Sequence, residues 1–255
     1  MFLKSADADV FVTSCGAGPR TLVAHGGWVG SGELWQLPFE ELSKSWRCVT
    51  YDHRGTGATV NRAPQITFEL LVDDLFRVLD ALKIERCVLA GESSGACVVL
   101  EAALRHPERF NGLVLVDGRY MGGLTAGARR FIDGCKTDFE ATMQMFVNAC
   151  IPEQDCAAER GWAKQIVMRS SGPDAVQLME CLEVVQVEGR LQQIALPTLL
   201  IHGTADVITP LLNSQNLAQK IPNSRLVTIE GAGHVPTMTR PAEIVRAIDD
   251  FFPPL

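Results

Sequence analysis

The sequence predicts an α/β domain: a mostly parallel sheet with helices on both faces and a helical lid inserted into it. Three observations predict this. Short runs such as Thr21–Ala24, Arg86–Ala90, Leu113–Val116 and Leu196–His202 are nearly continuous in apolar residues, the pattern of strands buried on both faces. Stretches of helical period alternate with those runs, the order of a parallel sheet rather than of a sandwich. Between residues 121 and 188 the strand-like runs stop and only helical patterns remain. At 255 residues and 47% hydrophobic, the chain can bury one sizeable core.

Taken in order, Phe2–Ser5 and Val10–Cys15 read as two short strands joined by an Ala-Asp turn. Thr21–Ala24 is a strand running into His25-Gly-Gly-Trp28, and a helix follows over Glu33–Lys44. Trp46–Tyr51 is the next strand and ends in Asp52-His-Arg-Gly-Thr-Gly57. Leu71, Leu75, Val78 and Leu82 recur on one face of a helix over Thr67–Lys83, with Thr67 as its N-cap. Arg86–Ala90 is a strand, and a helix takes over at Ser94 and runs to Arg105. Leu113–Val116 is another buried strand, stopped by Asp117-Gly118. Helices over Ala126–Cys135, Phe139–Cys150, Ala157–Ser170 and Asp174–Val187 are punctuated by Pro152 and Gly172-Pro173. The sheet resumes at Leu196–His202 and ends at Ser224–Ile229, with helices over Leu211–Ile221 and Pro241–Phe252. Residues 1–118 and 190–255 are therefore expected to form the core, and 119–189 a cap over the strand ends, where ligands of such sheets bind.

The net charge of −7 argues against a nucleic-acid or anionic-membrane partner. The first residues hold no apolar signal core, and no run approaches membrane-spanning length. A cytoplasmic chain with its eight cysteines reduced is expected. Cys48, Cys87 and Cys97 sit in apolar contexts as small hydrophobes. Cys150 and Cys156 have no spaced histidines beside them, so neither a metal site nor a cofactor is expected.

The chemistry is expected around Gly91-Glu-Ser-Ser-Gly95. A strand, a sharp turn and a helix around G-x-S-x-G aim the serine hydroxyl out of the sheet, and the flanking glycines relieve clashes that any Cβ would cause. Ser93 is the candidate nucleophile. A serine needs a base within hydrogen-bond reach and a carboxylate to orient that base. Of five histidines, His106 reads as an exposed helix end, His53 as part of a surface turn and His202 as a core residue. His25 ends a strand. His234 follows the last strand in the glycine-rich loop Gly231-Ala-Gly233, free to reach back across the sheet, and is the candidate base. Asp206, on the loop after Leu196–His202, is the favoured acid; Asp117 ends a buried strand on the same rim and competes. The N–H groups of Ser94 and Gly27 are the candidate oxyanion donors, with Trp28 as second choice to Gly27 and as a substrate-binding side chain. Arg54 and Arg119 are considered as carboxylate anchors near the rim.

His25-Gly-Gly-Trp, Asp52-His-Arg-Gly-Thr-Gly, Gly91-Glu-Ser-Ser-Gly, Gly203-Thr-Ala-Asp and Gly233-His234 stand in the order of the α/β-hydrolase family, which the chain resembles throughout except in the lid. The resemblance implies Ser93, Asp206 and His234 as a triad in the chain order Ser…Asp…His, and Gly27 and Ser94 as oxyanion donors. The helical lid is similar to that of 3-oxoadipate enol-lactonases, small carboxylesterases and the karrikin- and strigolactone-receptor group. The Gly-Glu-Ser-Ser-Gly-Ala variant also resembles zearalenone-type lactonases, whose acid follows the preceding strand, which keeps Asp117 in play. Dehalogenases and epoxide hydrolases of this fold carry an aspartate at the Ser93 position. The leading expectation is a serine hydrolase acting on a small ester or lactone. The alternatives are a carbon–carbon hydrolase or perhydrolase, and a slow-turnover ligand sensor.

Overall fold

The computed structural model describes residues 1–253. Its strands are β1 (Phe2–Lys4), β2 (Ala8–Cys15), β3 (Arg20–His25), β4 (Trp46–Tyr51), β5 (Val60–Asn61), β6 (Cys87–Glu92), β7 (Phe110–Val116), β8 (Thr198–Gly203) and β9 (Ser224–Ile229). Its helices are α1 (Gln36–Leu42), α2 (Phe68–Ala81), α3 (Gly95–Arg105), α4 (Ala126–Thr137), α5 (Phe139–Cys150), α6 (Ala157–Val167), α7 (Gly172–Glu180), α8 (Leu212–Lys220), α9 (Pro236–Thr239) and α10 (Pro241–Phe251).

One sheet runs in the order β1-β2-β4-β3-β6-β7-β8-β9, with β5 beside β2. From β4 to β9 the pairing is parallel, while β1, β2 and β5 are antiparallel at one edge. The order reverses at β3: β4 lies on one side of it and β6 on the other. Such a reversal opens a crevice beyond the carboxyl ends of the two diverging strands. His25 and Gly91 are register partners there, so the glycine-rich loop after β3 stands directly beside the elbow after β6.

Local chemistry sets the elements. Thr67 caps α2 by accepting from Leu70 N at 3.2 Å, and Phe68, Leu71, Val72, Leu75, Val78 and Leu79 bury one face. The helix expected over Glu33–Lys44 is broken into a 3-10 turn at Gly32–Trp35 and α1. Pro38 has no N–H to give a carbonyl one turn back, so it is tolerated only in the first turn of a helix that starts afresh at Gln36. The helix expected over Asp174–Val187 ends at Glu180. A further 3-10 turn at Cys181–Val184 then leads into extended backbone at the β-branched Val185. The short β5 and α9 carry too little periodicity for the sequence to reveal them. Helices α4 to α7 lie between β7 and β8, with α4 packed on α5 and α7 and α5 on α6. Among the described residues no helix is long and apolar enough to cross a membrane.

Candidate active site

Ser93 has φ +54°, in the left-handed region that side-chain-bearing residues avoid. The strain is held from both sides: Ser93 N–H donates to Val116 O, and Arg119 N–H donates to Ser93 O, each at 2.9 Å. A Cβ on Gly91 would lie 2.6 Å from Val99 Cγ2, and one on Gly95 would lie 2.3 Å from Gly26 O. Both glycines are therefore steric requirements of the turn.

Across the sheet, His234 Nε2 lies 2.8 Å from Ser93 Oγ and His234 Nδ1 lies 2.7 Å from Asp206 Oδ2. Asp206 keeps its other oxygen for the N–H groups of Ile208 and Thr209, at 2.7 and 3.0 Å, which fixes the carboxylate plane. His202 donates from Nε2 to Thr209 O, so its Nδ1 accepts from Ser214 Oγ, and burial holds it neutral by lowering its pKa. Asp117 is also buried here. Its Oδ1 accepts from Gly203 N at 2.9 Å, while its Oδ2 has no partner among the described residues. Burial pushes its carboxyl well above the usual carboxylate range, and the Asp206 charge pushes it further. Asp117, Asp206 and His234 offer ligand atoms within 4.8 Å of one another. Any cation there would compete with the His234–Asp206 hydrogen bond.

The loop that carries His234 is gripped from the inserted helices. His234 N–H donates to Cys150 O at 2.7 Å, and Gly233 N–H donates to Glu153 Oε1 at 2.8 Å. Thr239 Oγ1 donates to the same Glu153 oxygen at 2.9 Å. Glu153 is not prominent in the sequence, because nothing in its neighbourhood signals a partner eighty residues away.

On the other side of Ser93, the backbone of Gly27 comes so close that a Cβ on it would lie 3.2 Å from Ser93 Cβ. Neither the Gly27 nor the Ser94 N–H donates to another backbone carbonyl among the described residues. Two buried histidines brace this loop. His25 Nδ1–H donates to Gly26 O at 2.7 Å, His53 Nε2–H donates to Trp28 O at 3.1 Å, and the rings stack at 4.7 Å. Burial lowers their pKa values to about 4 and about 3, so both are neutral near pH 7. His53 is thus not in a surface turn, as the sequence suggested. Arg54 is likewise not at the rim: its side chain is wholly buried against Asp74, where it cannot reach a ligand.

The Trp28 indole donates to Ala175 O at 2.7 Å and packs with Phe131 and Phe146 as an aromatic wall. A cavity of about 320 Å³ opens along this wall over Ser93 and Ser94, with Arg119, Arg130, Met179 and Leu182 among its lining. Arg119 donates to the backbone oxygens of Met121 and Gly123. A smaller space of about 40 Å³ lies on the His234 side of Ser93, between Leu34, Val147 and Val167. A larger groove of about 660 Å³ near Phe11, Phe39 and Asp52 does not include Ser93. There the Asp52 carboxylate is taken up by the N–H groups of Gly32 and Ala58.

The sequence matches the alpha/beta hydrolase family over residues 21–247. A protein of Pseudomonas syringae pv. syringae named "Putative carbamate hydrolase RutD" is 30% identical over 241 residues, covering 91% of this chain and 93% of that one. A pimeloyl-acyl-carrier-protein methyl ester esterase of Nitrosomonas europaea is 28% identical over 255 residues, covering 95% and 99%. Among solved structures, the enol-lactonase of Burkholderia xenovorans LB400 superposes with a TM-score of 0.89 at 21% identity, over 97% of this chain and 98% of that one, a likeness of fold. With the family matched over most of the sequence, this chain belongs to the alpha/beta hydrolases and is a hydrolase of that fold.

Proposed function

We propose that the protein cleaves a small-to-medium carboxylic ester or lactone through an acyl-enzyme on Ser93. The observation that carries this reading is the continuous chain Ser93 Oγ, His234 Nε2, His234 Nδ1, Asp206 Oδ2, with both links at hydrogen-bond length. As Ser93 Oγ attacks the carbonyl carbon, its proton passes to His234 Nε2, and Asp206 stabilises the imidazolium through Nδ1–H. The carbonyl π electrons move to oxygen, and the N–H groups of Gly27 and Ser94 receive the oxyanion. Collapse expels the alcohol, protonated by His234; water activated by the same nitrogen then releases the acid and restores Ser93. Asp206 rather than Asp117 takes the orienting role, because it is the carboxylate bonded to Nδ1. Residues 119–189 act as the lid, with Trp28 as a wall of the substrate space. No step calls for a metal or cofactor. The esterase and lactonase named among the relatives agree with ester chemistry.

The test is turnover of short p-nitrophenyl esters by the wild type and Ser93→Ala. The variant is expected to lose about three orders of magnitude or more in kcat. Activity that survives the substitution places the nucleophile elsewhere. Release of a single equivalent by the wild type favours the ligand-sensing alternative.

A further inference from the structure

The chain carries seven more acidic than basic side chains, yet the lining of the 320 Å³ cavity over Ser93 contains two arginines and no aspartate or glutamate. Arg119 and Arg130 are those two. Eight arginines of this molecule are paired with carboxylates, among them Arg54 with Asp7 and Asp74, Arg105 with Glu69 and Glu101, Arg169 with Glu33, and Arg190 with Glu101. Arg119 donates only to backbone oxygens, from Nε and one Nη, which leaves the other Nη free. Arg130 stands exposed on α4 at the cavity mouth with no carboxylate partner among the described residues. Much of the remaining lining is apolar, including Trp28, Phe131, Phe146, Met179 and Leu182. A neutral substrate leaves both guanidinium charges without a counter-charge. A carboxylate accepts the planar fork of an arginine, and apolar walls strengthen that attraction by excluding water.

Resting on the reading that Ser93 is the nucleophile, we propose that the natural substrate is an anionic ester or lactone. Its scissile carbonyl lies at Ser93, and a carboxylate separated from it by an apolar chain is held by Arg119 and Arg130. Arg130 is the specificity-determining residue of the pair, because its guanidinium has no structural duty that competes with the ligand.

The probes are two p-nitrophenyl esters of equal chain length, the hexanoate and the mono-ester of adipic acid, which differ by a terminal carboxylate. The wild type is expected to favour the anionic ester in kcat/KM, with the preference shrinking as salt is raised. In Arg130→Gln the anionic-to-neutral ratio of kcat/KM is expected to fall about tenfold, mostly through KM, the size of one lost charged hydrogen bond. Arg119→Gln should lower the ratio in the same direction. Equal losses on the two esters, or no preference in the wild type, overturn the proposal. Should Arg119→Gln misfold because it frees the Met121 and Gly123 carbonyls, Arg130→Gln alone decides. Calorimetric binding of adipate to Ser93→Ala needs no chemistry. Binding that Arg130→Gln abolishes supports the arginine site even where Ser93→Ala retains turnover, and absence of binding overturns it even where Ser93 proves to be the nucleophile.

Discussion

Glu92 stands next to the serine and points the other way, wholly buried, with its carboxyl 3.2 Å from Thr237 Oγ1. No cation among the described residues neutralises it. Burial pushes its pKa from an ordinary 4.5 to about 8, with the nearby Asp206 charge adding to the rise. The folded protein therefore holds a proton here that the unfolded chain releases above pH 4.5. The stabilisation is fully present below that value and is lost as pH rises toward 8. Glu92→Gln keeps the shape and removes the titration. Its unfolding free energy relative to wild type, read from urea unfolding, is expected to climb steadily from pH 5 to pH 8, at up to ~1.4 kcal/mol per pH unit. A difference that stays flat across that range places an ionised Glu92 in the folded state. Sequence patterns mark Glu92 only as the variable position of the turn, because which way a strand-end side chain points depends on its neighbours in space. The same holds for His53 and Arg54, where a polar loop composition suggested solvent and the fold supplied a closed interior.

At the scale of elements, the grip of residues 150–153 on the His234 loop joins the inserted helices to the sheet. Glu153 touches no reacting atom; it fixes Gly233 and Thr239 on either side of the histidine. Glu153→Ala is expected to lower kcat by about tenfold with little change in KM, by loosening His234 rather than the substrate space. Glu153→Gln, which retains an acceptor, should restore most of that loss. A rise in KM with kcat unaltered would mean that Glu153 shapes the pocket instead. The neighbourhood of Ser93 and His234 was legible because each belongs to a short motif with its own backbone requirement. Asp117 and Asp206 both follow buried strands, and only the register of β7 against β8 puts the second under His234 Nδ1. Arg130 was not singled out, since a helical period does not say which charged residue faces a cavity.

The molecule as a whole is tied together at Arg54. Its Nε and Nη2 take both oxygens of Asp74 on α2, at 2.6 and 3.0 Å, Nη2 also takes Asp7 Oδ2, and Nη1 takes Asp7 O and Asn61 Oδ1. One side chain thus fastens the loop after β4 to the first hairpin, to β5 and to α2. Arg54→Met leaves Asp74 buried with only Arg77, at 3.0 Å, as its cation. Urea unfolding should then read a loss of about 3 kcal/mol, the low end for a broken buried pair. Adding Asp74→Leu should recover part of it; a loss under about 1 kcal/mol would mean that the pair does not pin these elements. The parallel sheet itself was legible, since consecutive apolar residues leave a strand little choice but to be covered on both faces.

Parallel strands meet only through long crossovers, and the contact between Ser93 and His234 spans 141 residues. A chain emerging from the ribosome therefore presents the serine long before its partner exists. On the proposed mechanism the hydroxyl then has no neighbour to take its proton, and the newly made polypeptide is inert toward esters until its last strand has docked.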